Sequence, residues 1–294
     1  MIKYWRVLKK TFKEYSITTA MDYSSSIAFY LIFSLPAILI ISLTIAGSIY
    51  EDEVARQTLL SQFETLFGIE SAEAINKILT NVSEASNSLI AQVIGFITLI
   101  VSATTVFVSL QDGINQVWGL KSKPDKNLYN LLKNRLMSLA MAVSVGFLLL
   151  VTLVIDTSLN FFDERIIAIF SEEGFYIANV LSIIISVVVT TGVFACLFKV
   201  IPDAKVKWKN VWMGAFVTTV FFGVGKLLIG FYLTKSSFGS VYGAAGSLVI
   251  LLTWIFYSSM IVLFGAQFSA VYSDEIEGGI TPTKNAKFLD NNDY

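Results

Sequence analysis

The amino-acid sequence predicts an all-α, polytopic membrane protein with six transmembrane helices, an N-terminal interfacial helix and an amphipathic helical insert between the first two spans. Between Asp22 and Asp274 the chain contains six long apolar stretches that are almost free of charge. A helix needs about 20 apolar residues to cross the hydrocarbon core of a bilayer. The composition agrees, because 55% of the residues are hydrophobic and only 15% are charged, whereas soluble domains are about 25% charged.

Residues 1–22 are predicted to form an amphipathic helix at the cytoplasmic membrane interface. Large apolar residues recur at spacings of three and four, and basic residues occupy positions between them. The apolar set is Tyr4, Trp5, Leu8, Phe12 and Tyr15, and the basic set is Lys3, Arg6, Lys9, Lys10 and Lys13. A helix with these two faces lies on an anionic leaflet. The alternative is an ordinary solvated basic segment.

The membrane domain is predicted to extend over residues 23–273. Its six spans are expected at about 27–50, 89–111, 136–159, 175–198, 210–233 and 244–272. The first span contains Pro36, which removes one helix hydrogen bond and is expected to kink the helix.

Two polar segments complete the predicted organisation. The insert at 51–88 contains two sets of apolar residues at helical spacing, which predict two short amphipathic helices on the outer face with a break near Gly68. The tail at 274–294 is rich in Asn, Asp and Lys, and we expect it to be mobile and cytoplasmic.

The distribution of Lys and Arg predicts the orientation. Sixteen of these residues lie in the start, the tail and the loops at 113–135 and 199–209, and four lie in the connections on the other side. Because cytoplasmic loops carry the excess of Lys and Arg, both termini are expected in the cytoplasm.

Several kinds of chemistry are excluded by composition. The chain has no histidine and one cysteine, Cys196, so it lacks the ligands of the usual zinc sites and the base of Ser-His or Cys-His catalysis. We predict no catalytic residue, no metal site, no cofactor and no enzymatic activity. The net charge of −1 indicates no nucleic-acid partner.

Lys226 is the first candidate for a substrate or ion pathway. It lies about 24 Å along the fifth predicted span, counted from Asn210 at 1.5 Å per residue, and an ionisable residue at that depth indicates a function. Asp156, at the outer end of the third span, is the second candidate. Two structural alternatives stay open: Lys226 pairs with Asp156 for stability alone, or it extends to the outer interface.

Two tyrosines and several small residues complete the candidate set. Tyr30 and Tyr242 are the two further pathway candidates, and a polar cavity lined by Tyr30, Lys226 and Asp156 would support a pathway. Gly239 and Gly243 form a small-xxx-small pattern, as do Gly265 and Ser269, and such patterns allow helices to approach closely. Asn115 and Trp118 fit an interfacial anchor at the end of the second span.

The order of these motifs resembles the YihY/virulence factor BrkB family over residues 15–273. The resemblance rests on Ala28-Phe-Tyr30-Leu-Ile-Phe-Ser34-Leu-Pro36, Asn115-Gln-Val-Trp118, Ile201-Pro202, Val206-Lys-Trp208, Gly214-Ala215, Tyr242-Gly243, Trp254 with Tyr257, and Gly265-Ala266-Gln267. It implies a six-span protein of the bacterial cytoplasmic (inner) membrane. An older label of this family, ribonuclease BN, disagrees with a chain that has no histidine. Gln267 stands where the family's last motif has glutamate.

The sequence and the resemblance together favour a transporter of a small solute or lipid. The alternative is a non-transporting envelope integrity or assembly factor that docks a partner through the 51–88 insert. A membrane-embedded enzyme would need a catalytic constellation that the sequence does not show. The bilayer is the one partner predicted directly. The substrate is not specified, and a homo-oligomer is compatible with the pattern.

The predicted orientation can be tested by thiol labelling of intact cells on a Cys196→Ser background. Ser61→Cys and Ser171→Cys should react with an impermeant reagent, because both positions are expected on the outer face. Ser122→Cys and Asn285→Cys should stay unreacted until the cells are opened. Labelling of Ser122→Cys from outside would overturn the predicted orientation.

Overall fold

The computed structural model describes most of the chain in seven continuous segments and a few separate positions. The segments are 2–16, 18–47, 89–122, 172–235, 246–276, 278–284 and 286–289. The separate positions are 53, 56, 57, 60, 61, 73, 75–77, 79 and 80.

The described residues form six long helices and four short strands, in agreement with the predicted all-α class. The helices are α1 (Ile2–Tyr15), α2 (Ala20–Gly47), α3 (Leu89–Val117), α4 (Glu172–Val200), α5 (Trp208–Lys235) and α6 (Gly246–Ile276). The strands are β1 (Leu120–Ser122), β2 (Ala204–Lys205), β3 (Thr281–Pro282) and β4 (Ala286–Phe288). Five of the predicted spans coincide with α2 to α6, and the predicted span at 136–159 lies outside the described residues.

Helices α2 to α6 contain 28 to 31 residues each, so each is roughly 42–46 Å long at 1.5 Å per residue. Within the described part of the chain, the segment Leu248–Ile276 is long and apolar enough to cross a membrane, and Ile184–Val200 is a shorter apolar stretch. Helix α2 continues through Pro36 to Gly47.

Exposed apolar residues form stripes along the long helices. On α5 the stripe repeats every four residues and each member is 43–60% exposed: Trp212, Phe216, Val220, Val224 and Leu228. On α3, Val93, Ile97 and Val101 are 50–58% exposed at the same spacing. A helix of a soluble protein places polar residues on its exposed face. Apolar exposed stripes therefore indicate contact with lipid.

The chain divides into two compact units. The first comprises Met1–Ala20, Gln111–Phe221 and Ile261–Tyr294, and the second comprises Met21–Leu110 and Phe222–Met260.

In the first unit, α1 packs along the C-terminal half of α6. Val7 is fully buried in a cluster with Phe268, Val271 and Tyr272, and the Phe12 ring lies 4.7 Å from that of Phe264. The predicted aromatic face of α1 is therefore divided. Part of it contacts α6, while Trp5 remains 70% exposed.

Two small two-stranded sheets form a unit that is here called the terminal cap. It comprises residues 120–122, 203–209, 278–284 and 286–289. Strand β1 pairs with β4, and β2 pairs with β3, both antiparallel. The Thr283 N–H donates to the Asp203 carbonyl over 2.9 Å, and the Leu289 N–H donates to the Gly119 carbonyl over 2.8 Å.

The segment from residue 274, which was predicted to be a mobile tail, contains regular structure in its described part. Helix α6 continues to Ile276, and residues 281–282 and 286–288 are strands. The polar composition of the tail indicated mobility, but its backbone groups are paired with the loops after α3 and α4, and Ile280 and Ala286 are buried. Local composition does not reveal these distant partners.

The second unit is organised around a buried apolar cluster that includes the insert. Ile75 and Leu79 pack with Ala28 of α2 and with Leu251 and Ile255 of α6. The described insert residues are helical, and their apolar face is packed within the chain.

Helices α5 and α6 approach closely at two glycines of the first unit. A Cβ added at Gly265 would lie 1.7 Å from the Thr218 Oγ1, and one added at Gly214 would lie 2.6 Å from the Ser269 Cβ. The small-xxx-small pattern of Gly265 and Ser269 thus lies at a helix crossing where backbones nearly touch.

We predict that Gly265→Ala destabilises the protein by about 1–3 kcal/mol, because the added methyl group overpacks the crossing. A lower thermal midpoint in detergent would show this loss. Gly223→Ala on α5 is the matched control, since nothing lies within 4 Å of its added Cβ, and helix propensity alone should leave it unchanged or slightly stabilised. Equal midpoints for Gly265→Ala and Gly223→Ala would contradict the close crossing.

Candidate functional site

The second unit contains an open cleft of about 580 Å³ between α2 and α6. Seven residues line it: Ser25, Ser26, Ala28, Phe29, Tyr30, Leu252 and Phe256. The first five follow one another closely near the start of α2, and the other two are one helical turn apart on α6. The cleft therefore contains the predicted site residue Tyr30.

The lining combines aromatic surface with hydroxyl groups. The ring of Phe29 is edge-on to that of Tyr30, with centroids 5.5 Å apart, and lies 4.8 Å from the Phe33 ring. The hydroxyls of Ser25 and Ser26 donate to the helix carbonyls of Met21 and Asp22. Their oxygen lone pairs can still accept hydrogen bonds, and the half-buried Tyr30 hydroxyl can donate one.

The insert stabilises the wall of the cleft from behind. Ala28 lines the cleft and also belongs to the buried cluster that contains Ile75 and Leu79. Arg56 joins the two described parts of the insert, because its guanidinium donates to the Asn76 Oδ1 over 2.6 Å and to the Thr80 Oγ1 over 2.7 Å. The insert thus holds the cleft residues of α2 in place.

The described part of the structure does not show whether the other pathway candidates lie close together. Asp156, Tyr242, Gly239 and Gly243 lie outside them. Lys226 is within α5, but its side chain is not described, so the Lys226–Asp156 pair stays a prediction. Gly265 lies at the crossing with Gly214.

A partly buried polar junction in the first unit was missed by the sequence analysis. The Asp203 N–H donates to the Asn115 Oδ1 over 2.9 Å, and the Asn115 Nδ2 donates to the Asp203 Oδ2 over 3.0 Å. The Ser122 hydroxyl donates to the same carboxylate oxygen over 3.1 Å. This junction joins the end of α3 to the loop after α4.

The interpretation of Asn115 and Trp118 as an interfacial anchor is wrong, because both are buried. Asn115 is 2% exposed and Trp118 is 4% exposed. The Trp118 Nε1–H donates to the Ala266 carbonyl of α6 over 2.8 Å. A polar side chain can be buried where its hydrogen bonds are made internally, and these partners are distant in sequence.

A second polar cluster joins α1 to α6. Lys10 Nζ donates to the Glu275 Oε1 over 2.8 Å, and Gln267 Nε2 donates to the Glu14 Oε2 over 3.0 Å. Burial raises the pKa of the Glu14 carboxyl, and the nearby Asp274 acts in the same direction, while Lys10 opposes the shift. The hydrogen bond to Glu275 raises the pKa of Lys10.

The raised pKa of Glu14 predicts a pH dependence of stability. Between the ordinary glutamate pKa of 4.5 and the higher folded value, the folded state binds more protons than the unfolded state, so stability decreases as pH rises through this window. Lys10 does not contribute there, because stability from its raised pKa is lost only at alkaline pH. Glu14→Gln should remove this part of the decline.

The measurement is the thermal midpoint in detergent from pH 4 upward, compared between the wild type and Glu14→Gln. Glu73→Gln, at an exposed position of the insert, controls for the loss of one negative charge. Parallel midpoint curves for the wild type and Glu14→Gln would show that the Glu14 carboxyl is not held in a buried environment.

The matching family model and the similar proteins both point to one family of membrane proteins. A family model described as Virulence factor BrkB matches residues 11–289. The chain is 28% identical to a UPF0761 membrane protein of Glaesserella parasuis over 64% of each chain. It is 29% identical to one of Mannheimia succiniciproducens, over 64% of this chain and 62% of that protein. A relative from Histophilus somni is 26% identical over 92% of this chain and 90% of its own length.

The alignments with the first two relatives thus span somewhat less than two thirds of those proteins. No solved structure matches the chain. The matched family region includes the cleft, the helix crossing and the terminal cap, and these relatives are membrane proteins of bacteria. The chain belongs to the virulence factor BrkB family, as its motifs indicated.

Proposed function

We propose that this protein is a multi-pass protein of the bacterial inner membrane that moves a lipid or a small amphipathic solute, and that the α2–α6 cleft binds this molecule. The observation that carries the proposal is the lining of the cleft, which combines the apolar surface of Phe29, Leu252 and Phe256 with the hydroxyls of Ser25 and Tyr30.

The cleft chemistry favours an amphipathic ligand over a purely polar one. Aromatic and aliphatic side chains make up most of the lining, and apolar ligand surface gains free energy when it leaves water. A few hydrogen-bonding groups among apolar walls orient a ligand and give specificity. The volume of about 580 Å³ is within the range of small-molecule sites and suits part of a lipid better than a whole one.

The proposed topology has six spans with both termini in the cytoplasm. Five described helices of 28 to 31 residues and their exposed apolar stripes support it, together with the excess of Lys and Arg on one side. The sixth span is proposed at 136–159. The proposal includes no catalytic role for any residue.

A partner-docking envelope factor is the second function that the sequence allows. The insert would be its docking surface. Its described apolar residues Ile75 and Leu79 are buried in the cluster behind the cleft, so they are not available to a partner. This packing favours the binding cleft as the proposed site.

The test uses purified protein reconstituted in vesicles with a trace of NBD-labelled phosphatidylethanolamine, whose movement between leaflets is followed by dithionite bleaching. Wild-type protein should raise the bleached fraction above that of protein-free vesicles. Burying a phenylalanine side chain contributes about 1.5–3 kcal/mol. Phe256→Ala should therefore lower the rate at low lipid probe concentration by at least about tenfold.

Phe216→Ala is the matched control, because Phe216 is an exposed phenylalanine on α5 that does not line the cleft. It should retain the wild-type rate. Tyr30→Phe, which keeps the ring and removes the hydroxyl, should lower the rate less than Phe256→Ala. Movement of the labelled lipid that is insensitive to Phe256→Ala in a folded protein would contradict the assignment of the cleft.

A further inference from the structure

The terminal cap is strongly basic. Its described residues include six exposed lysines, namely Lys121, Lys205, Lys207, Lys209, Lys284 and Lys287, and one carboxylate, Asp203. Asp203 accepts hydrogen bonds from Asn115 and Ser122, so part of its charge is already engaged within the cap. The described residues of the cap therefore carry a formal excess of positive charge.

The strand register brings two of these lysines together. Lys121 of β1 lies directly opposite Lys287 of β4, and both side chains are exposed. Side chains directly opposite each other in an antiparallel pair are on the same face of the sheet, and like charges in that arrangement destabilise it.

The cap continues into a lipid-facing stripe of α5. Trp208 and Trp212 are exposed at the start of this helix, and Phe216 and Val220 continue the same stripe at intervals of four residues. Tryptophan is enriched at the level of lipid headgroups. Lys205, Lys207 and Lys209 adjoin these tryptophans in sequence, so they belong at the headgroup level as well.

Trp208 is held at this position by Lys199. The Lys199 Nζ lies 5.8 Å from the centre of the Trp208 ring and donates a hydrogen bond to the Val206 carbonyl. The cation and the ring attract each other. The aromatic anchor and β2 are thereby fixed to the end of α4.

We propose that the terminal cap binds the phosphate headgroups of anionic phospholipids in the leaflet next to it. The phosphate is recognised by the lysines of β1, β2 and β4 and the loop after β3, and the acyl chains continue along the apolar stripe that begins at Trp208 and Trp212. Basic clusters beside a membrane span attract anionic lipids in this way. The inference concerns lipid binding alone and does not depend on lipid movement through the protein.

The experiment titrates the full-length protein in a neutral detergent with dioleoyl phosphatidylglycerol or dioleoyl phosphatidylcholine and measures bound lipid by native mass spectrometry. The wild type should bind the anionic lipid more tightly than the neutral one. In the triple variant Lys121→Gln, Lys284→Gln, Lys287→Gln, affinity for phosphatidylglycerol should decrease about fivefold for each lysine removed, and affinity for phosphatidylcholine should be unchanged.

The triple change of the same lysines to arginine is the matched control and should keep the preference, because it keeps the charge. Lys77→Gln, at an exposed position of the insert, should also keep it. Thermal midpoints in phosphatidylcholine show whether each variant folds. If the triple variant does not fold, the single changes Lys205→Gln and Lys287→Gln give the same comparison on a smaller scale.

Two results would overturn the proposal. One is equal affinity of the wild type for the two lipids. The other is an unchanged phosphatidylglycerol affinity in folded glutamine variants. Titrations with inorganic phosphate and with a single-stranded DNA oligonucleotide show whether the cap binds anions other than lipid. Lysine-dependent binding of DNA without any lipid preference would assign the cap to nucleic acid and reject the lipid.

Discussion

The close crossing of α5 and α6 at Gly214 and Gly265 is the contact around which the first unit is arranged. With no side chain at either position, the two backbones approach closely, and the Ser269 hydroxyl can donate to the Asn210 carbonyl over 3.1 Å. One residue beyond Gly265, the Ala266 carbonyl accepts from the Trp118 indole. A helix carbonyl oxygen has a second lone pair, so the Ala266 carbonyl can accept the Trp118 hydrogen bond and also keep its own helix hydrogen bond. Helix α6 therefore contacts both α3 and α5 within one helical turn.

The elements that depend on local pattern could be predicted from the sequence. Charge-free apolar stretches predicted helices where α2 to α6 lie. Helical spacing predicted amphipathic helices in the insert, and Ile75 and Leu79 of its described part are buried. The pair Gly265 and Ser269 indicated close helix packing. In each case the spacing of residues within one segment is enough for the prediction.

The polar junctions could not be predicted, because each joins residues that are far apart in the chain. Asn115 and Asp203 are 88 positions apart, and Glu14 and Gln267 are 253 apart. The local sequence around Asn115 and Trp118 fits a buried pair as well as an interfacial anchor. Only the distant hydrogen-bond partners distinguish the two arrangements. The strands β3 and β4 could not be predicted for the same reason, since they pair with the loops after α4 and α3. The Lys226–Asp156 pair stays a prediction.

Two surfaces of the protein match two parts of a phospholipid. The cleft of the second unit offers aromatic and aliphatic surface with a few hydroxyls, which suits an acyl chain and its ester region. The cap of the first unit offers lysines beside exposed tryptophans, which suits a phosphate. The described apolar face of the insert is used to pack behind the cleft. The proposed lipid site in the cleft and the proposed headgroup site at the cap rest on separate observations.

The most direct test is a cryo-electron microscopy map of the protein in nanodiscs that contain phosphatidylethanolamine and phosphatidylglycerol. A lipid-binding cleft predicts continuous elongated density against Phe29, Tyr30 and Phe256, distinct from the disordered lipid of the surrounding bilayer. A cleft closed by contact of Phe256 with Tyr30, with no density between α2 and α6, would contradict the central claim that this site holds a lipid.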